Sequence, residues 1–190
     1  MILDYGNHKI ERGECMRLAY LGPVSKISNE LNLKPIEDEL SVLPDVEVII
    51  SYRYRHIISK HCLDDFQGRI INIHTSLLPW QRGAHPIFWG FIENTQHGVT
   101  IHEIDKGIDT GDIIAQLPVY APTTTTFKVA WHILNDAAVD FFIALWPNLL
   151  SVKPQSQNKG IGSIHYISDL DKYLGLDWDC NIYEFIGSLS

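Results

Sequence analysis

Apolar residues fall along this chain in two kinds of run, and their spacing divides it into alternating strands and helices. The run Met16-Arg-Leu-Ala-Tyr-Leu, closed by Gly22, predicts an opening strand and a glycine turn. Residues 23–31 carry Val24, Ile27 and Leu31 on one side, the pattern of a short helix. At 46–50 the unbroken tail Val48-Ile-Ile predicts a strand buried on both faces. Residues 57–66 read as a short helix closed by Gly68, and 69–74 as a second core strand with a polar exit. A turn-rich stretch at 76–83 leads to an aromatic helix at 86–92, with Pro86 suited to its first turn. Strands at 99–104 and 113–119 flank a glycine-bearing loop. The longest helix spans 126–146, capped from the threonines at 123–126 and followed by Pro147. Its polar stripe (Lys128, His132, Asn135, Asp136, Asp140) is narrow, which implies deep packing against a sheet.

This alternation predicts an α/β fold, a three-layer sandwich around a mostly parallel central sheet. The first fifteen residues have no clear period and read as a short strand and turn or a frayed extension. Residues 1–150 are expected to form one domain, and 151–190 a small C-terminal extension packed on it. Composition narrows the class. A hydrophobic fraction of 45% with 20% charged residues excludes disorder, collagen-like repeats and coiled coil. Fifteen basic against 23 acidic residues give a net charge of −8, which argues against nonspecific wrapping of a nucleic acid. No apolar run is as long as a membrane span, and the charged start is unlike a signal peptide. Cys15, Cys62 and Cys180 are scattered, as reduced thiols are in a cytoplasmic protein.

Polar chemistry concentrates between 72 and 112. Asn72 and His74, two apart at a strand exit, direct their side chains the same way, at the edge where open α/β sheets take their ligands. On spacing alone they are equally a functional pair or two satisfied buried polar residues. The loop holding Asp105, Asp109 and Asp112 reads as a structural turn, a catalytic carboxylate or a metal site. It lacks the ligand spacing and terminal Glu of a calcium loop, and no metal is expected. There is no Gly-x-Ser-x-Gly elbow and no signalled Ser-His-Asp order, so direct acyl transfer to an amine makes more sense than a covalent enzyme intermediate. Such a transfer needs an oxyanion donor, a proton acceptor and an acidic partner for the base. Asn72, His74 and Asp109 provide one of each.

Four motifs occur in order: Asn72-Ile-His-Thr-Ser-Leu-Leu-Pro79; Arg82-Gly-Ala84 with Pro86; Gly98-Val-Thr-Ile101; and Asp105-x-Gly-x-Asp-Thr-Gly-Asp-Ile-Ile114. Together they resemble the folate-dependent formyltransferase family over about residues 46–150. The resemblance implies a formyltransferase-like fold and transfer from 10-formyltetrahydrofolate to a primary amine. It maps the catalytic trio onto Asn72, His74 and Asp109, with Asn72 facing the oxyanion and Asp109 supporting His74. It implies folate contacts, largely through backbone, from Tyr52, Tyr54, Arg55, Ile57, Asp105, Gly107 and Ile108. On the acceptor side it implies Trp80, Arg82, Gly83, Ala84 and, from the tail, His165. The wording of 51–58, 79–83, 88–91 and 162–171 is most similar to small bacterial formyltransferases acting on nucleotide-linked amino sugars.

Two departures shape the expectations. Only 23 residues (23–45) separate Gly22 from the strand near 46, so the N-terminal half is abbreviated relative to the family's two βα units. Beyond residue 150 the chain is too short for the β-barrel domain of methionyl-tRNA enzymes, which with the charge of −8 argues against transfer RNA as acceptor. The expected partners are therefore small molecules, with no nucleic acid or membrane, and a homodimer is compatible. Three rivals remain: another small-amine or methionyl-tRNA formyltransferase, a formyltetrahydrofolate hydrolase, and a non-catalytic folate-binding protein.

Overall fold

Seven short strands build the main sheet among the residues that the computed structural model describes, which are 7–9, 15–40, 44–66, 69–158, 160–173 and 175–189. They are β1 (Asn7–Lys9), β2 (Cys15–Leu21), β3 (Pro35–Ile36), β4 (Val48–Tyr52), β5 (Arg69–His74), β7 (Gly98–Glu103) and β8 (Ile113–Pro118). A separate pair joins β6 (Arg82–Gly83) to β9 (Ile164–His165). The main path runs β1-β2-β4-β5-β7-β8, with β3 beside β2. Strands β2, β3, β4, β5 and β8 point one way, while β1 and β7 run against them. The sheet is thus mostly parallel in direction, as expected. The region beyond β5, however, is an antiparallel meander: β7 pairs antiparallel with both β5 and β8.

Alternation along the central strands feeds two cores. Leu18, Tyr20, Val48, Ile50, Ile71, Ile73, Val99 and Ile101 face one side and pack with α1 (Lys26–Glu30) and α4 (Phe127–Leu145). Ala19, Leu21, Ile49 and Ile70 face the other, against α2 (Lys60–Asp65). These are the three layers. A third cluster gathers Phe88, Trp89 and Phe91 of α3 (Pro86–Ile92) with Phe127 and Ile182 of α5 (Ile182–Gly187). The C-terminal segment therefore packs into an aromatic core, where burying a Phe side chain contributes roughly 1.5–3 kcal/mol.

Local chemistry sets the helix ends. Thr126 accepts from the Val129 amide at 3.2 Å, and Trp146-Pro147 ends α4. α2 starts at Lys60 rather than 57, because the Ser59 hydroxyl caps it through the Cys62 amide, which leaves Ile57 83% exposed. Its expected closure at Gly68 lies outside the described residues, as does most of the first fifteen; of those, Asn7–Lys9 pair antiparallel with β2. The short α1 and two-residue β3 are all that lies between β2 and β4 among the described residues, consistent with an abbreviated N-terminal half. Among the described residues no helix is long and apolar enough to cross a membrane.

Candidate active site

The carboxyl end of β5 carries Asn72 and His74, and the β7–β8 loop carries Asp109 toward them. Cross-strand register puts Asn72 opposite His102 of β7, and their side chains meet at 3.1 Å. Asn72 Nδ2 also approaches Asp109 Oδ1, at 3.4 Å. His74 Nε2 donates to the Gln81 main-chain carbonyl at 2.9 Å, which fixes the proton on Nε2 and leaves Nδ1 as the basic nitrogen. That Nδ1 lies 3.6 Å from Asp109 Oδ2, beyond a direct hydrogen bond. The other ligand of Oδ2 is the Gly83 amide, donating at 2.8 Å. The Asp109 carboxylate thus faces two ways: Oδ1 toward Asn72 and His102, Oδ2 toward His74 and the loop before α3.

Burial opposes charge on Asp109, but the His74 and His102 imidazoles and the Gly83 N–H outweigh it and hold its carboxyl well below the usual carboxylate range. Burial likewise pushes the His74 imidazole below the ordinary histidine value, and the Asp109 carboxylate only partly restores it. The resting pair is an anionic Asp109 beside a neutral His74. This arrangement can accept one proton at Nδ1 and stabilise the resulting imidazolium at once.

A cavity of about 280 Å³ opens on the Oδ1 side, lined by Ser51, Tyr54, Ile57, Asn72, His102 and the 104–109 loop. Of the residues expected around the folate, Tyr54, Ile57, Asp105, Gly107 and Ile108 line it. Tyr52 does not: as the last residue of β4 it faces α4, 2% exposed, with its hydroxyl donating to Asn135 Oδ1 at 2.8 Å. Stacking of the Tyr52 ring on a ligand is therefore excluded by the alternation of the strand. Arg55 is exposed and is not among the lining residues. The Asp105 carboxylate shapes its own loop, accepting from the Gly107 amide at 2.9 Å and the Thr110 hydroxyl at 2.5 Å. Gly111 lets this loop approach β7, since a Cβ there would sit 1.7 Å from the Glu103 carbonyl oxygen.

The expected acceptor-side residues divide in the same way. Trp80 is 41% exposed. Gly83 and Ala84 pair through backbone with His165, and Gly83 holds Asp109. Arg82 is turned inward, its Nε and Nη2 donating to Gln157 Oε1 at 3.3 and 3.2 Å, so its guanidinium is buried and not presented to a ligand. His165 stacks on Trp89 with ring centroids 4.0 Å apart, and its Nε2 donates to Glu93 Oε1 at 2.7 Å. Glu93 Oε2 in turn accepts from the Gln81 side chain at 2.8 Å and the Ser163 hydroxyl at 2.6 Å. Although burial would raise Glu93, the bonds from Ser163, Gln81 and His165 outweigh it and lower it below its ordinary value. His165 therefore anchors the loop that holds His74.

Four residues here escaped the sequence reading: His102, Gln81, Glu93 and Gln157. His102 was the most accessible, as a polar residue at the end of an apolar strand. Its role depends on the antiparallel register of β5 and β7, which spacing does not give. The others act through loop geometry set by distant segments.

The profile of the Formyl transferase family matches residues 27–140, more than half of the chain. The formyltransferase PseJ from Anoxybacillus kamchatkensis, solved in complex with UDP-4,6-dideoxy-4-formamido-L-AltNAc and tetrahydrofolate, is 34% identical. That likeness covers 91% of this chain and 99% of PseJ, with a TM-score of 0.82. Methionyl-tRNA formyltransferase of Finegoldia magna is 38% identical over 87 residues, 45% of this chain and 27% of its own length. The methionyl-tRNA formyltransferase of Francisella philomiragia subsp. philomiragia is 30% identical over 175 residues, 87% of this chain and 54% of its own. The chain spans about half or less of the length of these curated relatives. The family match contains Asn72, His74 and Asp109 together with the strands that bring them to one place, and this chain belongs to the Formyl transferase family.

Proposed function

We propose that the chain transfers a formyl group from 10-formyltetrahydrofolate directly to the primary amine of a nucleotide-linked amino sugar. The observation that carries this reading is the two-faced Asp109 carboxylate, with a cavity on its Asn72 side and His74 on the other. In this reading the cavity of about 280 Å³ receives the flat heteroaromatic ring of the folate. Its walls combine apolar side chains with the polar backbone of the 105–109 loop, and Ile57 and Ile108 stay exposed at 83% and 37%. Large apolar side chains exposed beside a cavity suit contact with a ligand.

In this mechanism the amine nitrogen attacks the formyl carbon, and the carbonyl oxygen gathers negative charge. Asn72 Nδ2–H stabilises that charge; its long 3.4 Å approach to Asp109 leaves this hydrogen the easier to redirect. His74 Nδ1 takes the proton lost by the amine, directly or through one water, and Asp109 stabilises the imidazolium across the 3.6 Å gap. The proton then passes to the departing folate nitrogen as its bond to the formyl carbon breaks, leaving a formamide and tetrahydrofolate. His102 Nδ1 lies 2.8 Å from the Glu103 carbonyl and its Nε2 3.1 Å from Asn72 Nδ2, a contact that orients the Asn72 amide.

The sugar-nucleotide assignment is supported by the likeness to PseJ along its whole length and by the net charge of −8, which disfavours a polyanionic acceptor. Residues 151–190 serve in this reading as an extension that completes the catalytic unit of 1–150, through Ile182 in the aromatic core and Gln157 at the Asp109 loop. The test is incubation with 10-formyltetrahydrofolate and a panel of nucleotide-linked amino sugars, glycinamide ribonucleotide and charged initiator transfer RNA. Mass spectrometry should find one added formyl group on a sugar nucleotide. Formylation of the transfer RNA alone would refute the acceptor assignment, and formate release without an amine product would refute transfer itself.

A further inference from the structure

Gln157 lies outside the family match and is 7% exposed, yet it joins the Asp109 loop to the 81–83 loop, which contacts both His74 and Asp109. Its Nε2 donates to the carbonyl oxygens of Asp109 at 2.9 Å and Gly111 at 2.7 Å. Its Oε1 accepts from Arg82 Nε and Nη2. Arg82 stands between Gln81, whose carbonyl fixes the His74 tautomer, and Gly83, whose amide grips Asp109 Oδ2. We infer that Gln157 is a positioning residue that sets the separation of His74 and Asp109 by tying the Asp109 loop to the 81–83 loop that holds His74.

Two features make an amide the required group. It must give two hydrogens to carbonyls on one side while accepting from a guanidinium on the other, and of the similar-sized side chains only Gln does both. A carboxylate would satisfy Arg82 and could donate nothing to the two carbonyls. The backbone it grips is also strained. Asp109 adopts φ +48°, in the left-handed region that a β-carbon disfavours, and such a residue persists only where its surroundings hold it. Gln157 bonds the carbonyl of Asp109 itself, so it holds the strained unit at the point where the carboxylate is aimed.

The inference rests on the formyl-transfer reading only for its kinetic arm. Gln157→Glu keeps a partner for Arg82 and is expected to fold, while losing the grip on Asp109. With the sugar nucleotide that accepts formyl, kcat should fall about 10- to 100-fold, the scale on which small misplacements of reactive groups act, with acceptor KM within about threefold. In an Asp109→Asn background the same change should alter kcat less than about twofold, because its effect passes through Asp109. Losses that multiply in the double variant, or a raised KM at unchanged kcat, would overturn the positioning role. A second measurement needs no acceptor: carbon-13 NMR titration of the Asp109 carboxyl in the wild type and the neutral Gln157→Met variant. Released from its donors, the carboxyl should titrate closer to the ordinary carboxylate value, that is, upward. An unchanged titration in a folded variant would also overturn the inference, even if no acceptor on the panel reacted.

Discussion

Asp109 combines an unfavourable backbone with a favourable charge. Its left-handed φ of +48° costs on the order of 1–3 kcal/mol, held in place by bonds to its carbonyl and carboxylate. What the strain brings is a carboxylate shared between Asn72 and His74 on opposite sides. The pH response follows from this geometry. Burial lowers the His74 pKa and the Asp109 charge partly raises it again, so the acid limb of kcat should lie below the ordinary 6.5. Asp109→Asn removes the raising influence. Its acid limb should move to still lower pH, with kcat down by about 10²- to 10⁴-fold. A kcat profile from pH 4 to 8 checks this, and a limb displaced upward would contradict the assignment. The same depression means that the unfolded chain binds this proton first, so the contribution to stability is intact above about 6.5 and declines as pH falls below it.

At the scale of elements, the β6–β9 pair is the joint between the catalytic loop and the tail. Gly83 has φ +85°, and a Cβ there would meet the His165 carbonyl oxygen at 2.2 Å. Gly83→Ala should therefore destabilise the fold by more than about 1 kcal/mol and also draw its amide away from Asp109. A melting temperature lower by several degrees together with a drop in kcat is the expected result; unchanged values of both would show that the pairing matters to neither. Elements governed by short-range chemistry were legible in the sequence. β5 and α3 have the limits that their apolar runs and Pro86 imply. The start of α2 was misjudged, because Ile57 and Ile58 look like a helical face whereas the Ser59 cap decides the boundary.

Across the whole molecule, the layered fold was legible because both faces of the central strands are buried and read as apolar runs. The antiparallel direction of β7 was not, since a run of apolar residues carries no sign of strand direction. That limit hid His102, which meets Asn72 only through the register. The meeting of Asn72, His74 and Asp109 at one place was legible through their motifs. Most of the tail was not: His165 was expected on the acceptor side but instead bonds Glu93, and Gln157 and Ser163 reach the site from some fifty or more residues away through contacts that no local pattern announces. Such long-range ties also explain why Arg82, polar in the sequence, is buried in the fold.

Direct transfer between two substrates held on either side of Asp109 is the central claim, and isotope tracing tests it most directly. The wild-type chain is supplied with 10-formyltetrahydrofolate carrying carbon-13 in the formyl group, an amino-sugar nucleotide and an excess of unlabelled formate. The account requires full retention of the label in the sugar formamide, with His74→Ala slower by at least about 10²-fold. Loss of label to the formate pool, or equal rates in the two proteins, would contradict it.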